Sequence, residues 1–295
     1  MDETLISLLL DNLRRILTSD YVLMTAVMVP PMFLVEWLLR AHRESWRHYR
    51  FGIAFFVANA FVLGIVAPTI NYFTASGIKA FGFGLIDLRS LGLGGVGGSA
   101  LAVLVSTFIL DFFYYWFHRA FHRSRLLWQM HLLHHSDENM NMLTAQRGHF
   151  LETVLQPAFI AIPMAVLFKL PPIQIGLLSL IPYGYLFFVH ANIRIGFGPL
   201  WWLVISPDYH RIHHSIEPQH RDRNFTNWFP IWDILFGTVW RPRPGERPAT
   251  GGDGVHVKTL SEAFLLPITG WRRMIARRLK ITPAAVQRPP ARVRR

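Results

Sequence analysis

Cysteine is absent from all 295 residues. That absence removes disulfide scaffolds, thiolate zinc sites, cysteine-ligated iron–sulfur clusters and cysteine nucleophiles together. Charge is scarce as well. Asp, Glu, Lys and Arg make up 16% of the chain, against roughly 25% in soluble globular domains. Lysine occurs four times beside 26 arginines. Too few ionic side chains are present to cover a water-facing surface, while 52% of the residues are hydrophobic and 14% aromatic. Disorder and collagen-like repeats are excluded by the same composition. An integral membrane protein with 14 histidines remains.

The net charge of +12 does not mark a nucleic-acid binder, because the basic residues flank apolar runs (Arg40, Arg43, Arg47, Arg50; Arg119, Arg123, Arg125) or lie in the C-terminal tail. Such placement marks the cytoplasmic ends of spans and contact with anionic lipid. Residues 3–17 read as an interfacial amphipathic helix, not a signal peptide, since Arg14 and Arg15 follow the apolar run. Spans are expected at 20–39 (broken at Pro30-Pro31), at 51–70 and at about 97–117, with 71–96 as a short connection or re-entrant piece. Two further runs, 153–168 and 173–191, meet at Pro171-Pro172 and read as a helical hairpin. The arginine-rich loop 40–50 places itself in the cytoplasm, and alternation puts 118–150 and the chain beyond 192 on the same side. The expected fold is an all-α, polytopic bundle of four to five spans. Three parts follow: 1–95, an amphipathic helix and first spans; 96–240, the part that carries most of the histidines; and 241–295, a basic extension, peripheral or disordered. The polar stretch RPRPGERPATGGDG opens that extension, 260–280 is amphipathic, and RPPARVRR reads as a disordered tail.

Eight of the 14 histidines fall in two short windows: His118, His122, His131, His134 and His135, then His210, His213 and His214. His118 and His122 are an i, i+4 pair, which share one helix face at roughly 5–6 Å between Cβ atoms. His131-Leu-Leu-His134-His135 and His210-Arg-Ile-His213-His214 repeat the pattern HxxHH. Three helical segments would present their imidazoles to a common point. A nest of neutral imidazoles suits a borderline transition metal: zinc, copper, iron or nickel. A membrane zinc peptidase would show HExxH, but Arg119, Ala120 and Phe121 fill the first pair. Zinc also needs three or four ligands, and at least eight are offered. Two metals are implied, and two redox-active ions facing a lipid-embedded cavity point to dioxygen chemistry.

HRAFH, HLLHH and HRIHH, in this order and with a hydrophobic hairpin before the last, resemble the fatty acid hydroxylase/sterol desaturase superfamily of membrane di-iron oxygenases. Downstream, Asn224-Phe225, Trp232-Asp233 and Leu235-Phe236-Gly237-Thr238 match that family's closing signature. The resemblance covers about residues 100–240. It implies an all-α membrane domain with a cytoplasmic helical cap, and makes 96–240 a di-iron catalytic domain with two irons in a histidine shell and dioxygen as co-substrate. It points to hydroxylation or desaturation of an unactivated C–H bond in a sterol, fatty-acyl or related lipid. Hydroxylation is favoured. It also implies a ninth ligand at His190. Where some relatives carry a tenth histidine this chain has Arg194, so Asn192, a water or His149 is left to fill that position, with Arg194 turned away toward a phosphate or a cap carboxylate. Asp111, seven residues before His118, is expected to orient an imidazole N–H. Arg147, His149 and Glu152 resemble the family's R-x-H-x-x-E segment, with a pocket or gating role. Asn224 and Asp233 are expected to fix the cap, and His42, His48 and His256 to have no role.

With neither a haem motif nor a nucleotide-binding GxGxxG after a strand, electrons are expected from a separate cytochrome b5-, ferredoxin- or rubredoxin-like protein. Membrane lipids are the other partners, and nucleic acid is not one. The arginine bias resembles a GC-rich bacterial genome, so a bacterial inner membrane is the expected location, with the site on the cytoplasmic side. A membrane metal-ion transporter or metal-binding protein is the rival reading. It predicts ionisable residues along several spans, whereas the clusters here lie at span ends.

Overall fold

Four helices in the computed structural model are long and apolar enough to cross a membrane: Tyr21–Leu39, Trp46–Phe81, Ala100–Arg123 and Phe150–Leu167. The structure describes residues 3–82, 84–87, 95–169, 183–252 and 254–279. The Pro171-Pro172 turn, most of the apolar run after it and the basic tail lie outside the described residues. Helix α1 (Glu3–Leu17) precedes α2 (Asp20–Leu39), α3 (Trp46–Phe81) and α4 (Gly95–Arg123). Then come α5 (Arg125–His135), α6 (Phe150–Gln156), a π-helical turn (Pro157–Ala161) and α7 (Ile162–Leu167). Helical residues 183–190 (α8), α9 (Pro207–His213), α10 (Ile231–Leu235) and α11 (Leu260–Arg278) complete the order. This is a multi-pass membrane architecture.

Two expectations about the spans change. Pro30 and Pro31 do not break α2, which runs through both. In a membrane helix neighbouring groups can re-satisfy the carbonyls that proline leaves free. Helix α3 continues through Pro68 to Phe81, so 71–81 is helix and not connection. Its 36 residues extend about 54 Å, well beyond an apolar core about 30 Å thick. The connection that remains carries strand β1 (Ile86–Asp87), which pairs in parallel with β2 (Phe168–Lys169) after α7.

Packing places the histidine segments. Ser124 alone separates α4 from α5. Its backbone is extended and its hydroxyl accepts the Leu127 N–H, so it both breaks the first helix and caps the second. The chain folds back there, and α5 lies against α4. Phe55 of α3, Leu132 and Leu133 of α5, and Ala263 and Leu266 of α11 form one buried cluster. Helix α11 starts from a capping box between Thr259 and Glu262 and approaches α5 closely at Gly270. A Cβ there would stand 1.9 Å from Gln129 Oε1.

The described residues after 241 contact the histidine-bearing helices. Ser215 pairs with Thr250, Arg211 donates to the Pro248 carbonyl, and Trp271 Nε1 donates to the Leu126 carbonyl. These contacts join 241–252 and 254–279 to α5 and α9.

Candidate metal centre

Nine histidines converge in two groups. His118, His122, His131, His135 and His213 form one, and His134, His190, His210 and His214 form the other, with the ligand atoms of each group within 4.8 Å of one another. The doublets explain the division. Adjacent residues on an α-helix point about 100° apart, so His134 and His135 cannot face one point. His131 and His135, four apart, go to the first group, and His134 goes to the second. On α9 the same rule sends His210 and His214 to the second group and His213 to the first. Each HxxHH therefore serves two neighbouring centres, not the single common point that the spacing suggested. Both histidine windows necessarily lie on one side of the spans.

The outer ring nitrogens fix the tautomers. Nδ1 of His118 donates to the Phe225 carbonyl at 2.7 Å, Nδ1 of His213 to the Arg223 carbonyl at 2.9 Å, and Nδ1 of His190 to the Leu186 carbonyl at 2.7 Å. Nδ1 of His131 faces Glu152 Oε2 at 2.8 Å. Carbonyls and carboxylates only accept, so these rings carry their proton on Nδ1 and turn an Nε2 lone pair inward.

Those lone pairs meet each other. His118 Nε2 lies 3.0 Å from His131 Nε2, and His190 Nε2 lies 3.1 Å from His134 Nε2 and 3.0 Å from His210 Nε2. Opposed lone pairs repel unless a cation stands between them. Nitrogens 3.0 Å apart at right angles about a common centre each lie about 2.1 Å from it, a metal–imidazole bond length. Nε2 of His122, His135 and His213 is buried with no hydrogen-bond partner, which points the same way. The donor set fits two borderline transition-metal ions.

Burial disfavours the charged form of His134, His135, His190, His210, His213 and His214. His118, His131, His135, His190, His210, His213 and His214 are at most 5% exposed. Burial pushes His213 down to about 3, against the opposing pull of the Arg223 carbonyl. Burial first, then the neighbouring rings, holds His134, His135, His210 and His214 well below the ordinary histidine value. Neutral imidazole is the form that ligates.

The three supporting residues expected at the site stand elsewhere. Asp111 accepts the backbone N–H groups of Asn227 and Phe229 at 2.9 and 2.8 Å. Seven residues along a helix is a rise of about 10 Å, too far for its carboxylate to reach the His118 ring. His149 caps α6, its Nδ1 accepting the Leu151 N–H, and its Nε2 donates to the Phe264 carbonyl of α11. Both nitrogens are committed, so neither is free to ligate. Asn192 gives its amide N–H to the His42 carbonyl and takes a hydrogen bond from Arg247. Beyond His190 the chain pairs Ile193 with Arg40, and this turns Asn192 toward the α2–α3 loop. Arg194 is exposed, and its charge bears on the cap carboxylate Asp208. His42 and His48 pair with Glu44, and His256 with Glu138, outside both groups.

Other residues support the centre, several of them expected from the sequence in other roles. Glu152 orients His131, and its helix is docked by Arg147 only indirectly, through Ser136 and Asp137 at the end of α5. Glu36 of α2 is 1% exposed and accepts the Met142 and Asn192 N–H groups at 2.7 and 2.8 Å. An acid deep inside the apolar run, sixteen residues beyond Asp20, was the available signal. The closing signature acts through backbone. Asp233 accepts from Phe225 N, Thr226 N, Thr226 Oγ1, Tyr209 OH and Thr238 Oγ1. Asn224, at φ +58°, binds the Tyr209 and Trp240 carbonyls. Together they hold the turn whose carbonyls aim His118 and His213.

Residues 103–238 match the family described as fatty acid hydroxylase. Among curated proteins, alkylglycerol monooxygenase of Xenopus tropicalis is 39% identical over 135 residues, 44% of this chain and 28% of that protein. Ornithine lipid hydroxylase OlsE of Rhizobium tropici is 30% identical over 166 residues, 56% of this chain and 49% of that protein. The very-long-chain aldehyde decarbonylase GL1-1 of Oryza sativa subsp. indica is 31% identical over 163 residues, 52% and 26%. The chain thus spans between about a quarter and a half of the length of these relatives. No solved structure matches it. Residues 103–238, which hold all nine converging histidines, eight of them in the three histidine motifs, belong to the fatty acid hydroxylase family.

Proposed function

We propose that the protein is a di-iron monooxygenase that hydroxylates an unactivated C–H bond of a membrane lipid. The division of nine imidazoles into two adjoining groups carries this reading, because imidazole donors suit iron among the borderline metals. Two relatives are named a monooxygenase and a hydroxylase, which favours hydroxylation over desaturation. Bound by these rings, a pair of irons supplies dioxygen activation and hydrogen-atom abstraction. The overall balance consumes the lipid C–H, dioxygen, two electrons and two protons, and yields the alcohol and water.

The chain's own groups have definite tasks. The carbonyls of Phe225, Arg223 and Leu186, with the Glu152 carboxylate, hold four rings in one tautomer and one orientation. Burial excludes water from the nitrogens. A cavity of about 720 Å³ between α1, α3, α6, α8 and the turn at 145–148 is lined by Ala60, Leu63, Ala67 and Leu186 among others. It suits an acyl or alkyl chain. Thr153 and Gln156 of α6 also line it, so the helix that carries Glu152 to His131 borders the cavity too. The electrons come from a separate redox protein on the cytoplasmic face, and a bacterial inner membrane is the proposed setting.

The test is metal analysis of the purified protein together with ¹⁸O₂ labelling of membrane lipids. Two irons per chain and one labelled oxygen in a lipid alcohol are expected. No tightly held metal would instead favour the transporter.

A further inference from the structure

A cleft of about 1000 Å³ opens on the cap between α5, α11 and the segments around 215–222 and 251–252. Its walls are basic. Arg125 stands on α5, Arg221 on the facing loop, and Arg277 and Arg278 on the last turn of α11. Among the described lining residues the one carboxylate is Asp222, which already faces Arg123 at 3.3 Å. Met274 and Ile216 supply apolar surface within this cationic frame.

The floor of the cleft is the metal centre itself. His122, His135 and His213 of the five-histidine group line it. Their Nε2 atoms are nonetheless buried, so what they turn to the cleft is the outer part of each ring. A reactant that must reach a metal is not served by this opening. An electron is, since the ring edges of ligands are continuous with the centre. Trp128 strengthens the point: it lines the cleft and packs its indole against His122 and His135, with ring centroids 4.9 and 5.2 Å apart.

We infer that this cleft is the docking and electron-entry face for an acidic one-electron carrier protein. The inference rests on the di-iron reading above. Charge complementarity sets the kind of partner, because four arginines around an apolar patch attract and orient an acidic surface. Each encounter passes one electron from the reduced carrier, leaving it oxidised, through Trp128 and the ligand rings to the metal pair. Two encounters supply the two electrons of one hydroxylation. An anionic lipid headgroup is the competing occupant, and it would need no indole at the floor.

The experiment uses the full chain, iron-loaded, in nanodiscs of phosphatidylcholine, with a plant-type ferredoxin as the acidic probe and cytochrome c as the basic control. Surface plasmon resonance should show ferredoxin binding that weakens about tenfold between low and high salt, with no comparable binding of cytochrome c. Arg277→Glu with Arg278→Glu should weaken ferredoxin binding at least tenfold while iron content is unchanged, and Arg125→Glu on the opposite wall should act in the same direction. Trp128→Leu should leave binding intact and slow the ferredoxin-driven loss of ferric absorbance at least tenfold in stopped flow. Equal binding of the two probes, or an unchanged ferredoxin affinity after both charge reversals, overturns the inference. So does a charge-reversal effect confined to phosphatidylglycerol vesicles, which would assign the cleft to lipid. Binding is read without turnover. A protein that binds ferredoxin and oxidises no lipid therefore loses the proposed function alone, and an active oxygenase indifferent to these charges loses the docking face alone.

Discussion

Glu152 Oε2 stands 2.8 Å from Nδ1 of His131, and this contact makes the remote carboxylate part of the metal centre. It fixes the ring's tautomer and raises the basicity of the inward nitrogen. Glu152→Gln keeps an acceptor but loses the charge, whereas Glu152→Leu loses both. The expected order of hydroxylation rate is wild type, then Gln, then Leu, with the Leu variant down about 10- to 100-fold. Iron content should fall in the same order. A Leu variant with full activity would remove the orienting role.

The two histidine groups should respond unequally to loss of a donor. His190→Ala leaves three imidazoles in its group, and His122→Ala leaves four in the other. Three nitrogens hold an ion more weakly than four, so His190→Ala should retain less iron per chain by mass spectrometry. Both should still insert in the membrane, because neither ring contributes to a span's apolar surface. Equal retention would show that the groups do not act as separate centres.

Asp233 is a stability prediction. Five donors converge on its carboxylate, and Asp233 is fully buried. Asp233→Asn places an amide donor against at least one of them. Breaking such buried, charge-assisted bonds costs about 2–4 kcal/mol. Thermal unfolding in detergent should register that loss, and the loosened 224–226 turn should lower activity beyond it.

His149 gives a pH dependence with a definite sign. Burial holds it below the ordinary histidine value, outweighing the Phe264 carbonyl and Glu152. The unfolded chain therefore binds the proton more readily, so the stability His149 contributes is complete above about pH 6.5 and declines as pH falls below it. The physical event is protonation of Nδ1, which then cannot accept the Leu151 N–H. His149→Asn supplies a cap that does not titrate. The stability difference between wild type and this variant should shrink or reverse from pH 7.5 to 5.5, and a constant difference would contradict the assignment.

Asn192→Ala is expected to leave iron content near that of wild type, since its side chain serves His42 and Arg247. A loss of about 1–2 kcal/mol in stability, the cost of two buried partners left unpaired, is the expected effect. Loss of one iron with stability unchanged would return Asn192 to the metal.

Composition and histidine spacing were enough to determine the membrane class and eight converging rings, because apolar run length and the helical repeat are local properties; His190 came only with the resemblance to a family. Even the division into two groups is implicit in each HH doublet, whose members must diverge by about 100°. Tertiary structure alone decided which residues aim those rings. Glu152, the carbonyls of Phe225 and Arg223, and Glu36 act across sequence separations that no local pattern encodes. The misplaced residues fail for the same reason. Asp111 shares a face with His118, but two turns of rise separate them. Asn192 is two residues from His190, yet a backbone pairing with Arg40 faces it the other way. Spacing along one helix sets which way a side chain points; what it meets depends on another part of the chain folded against it.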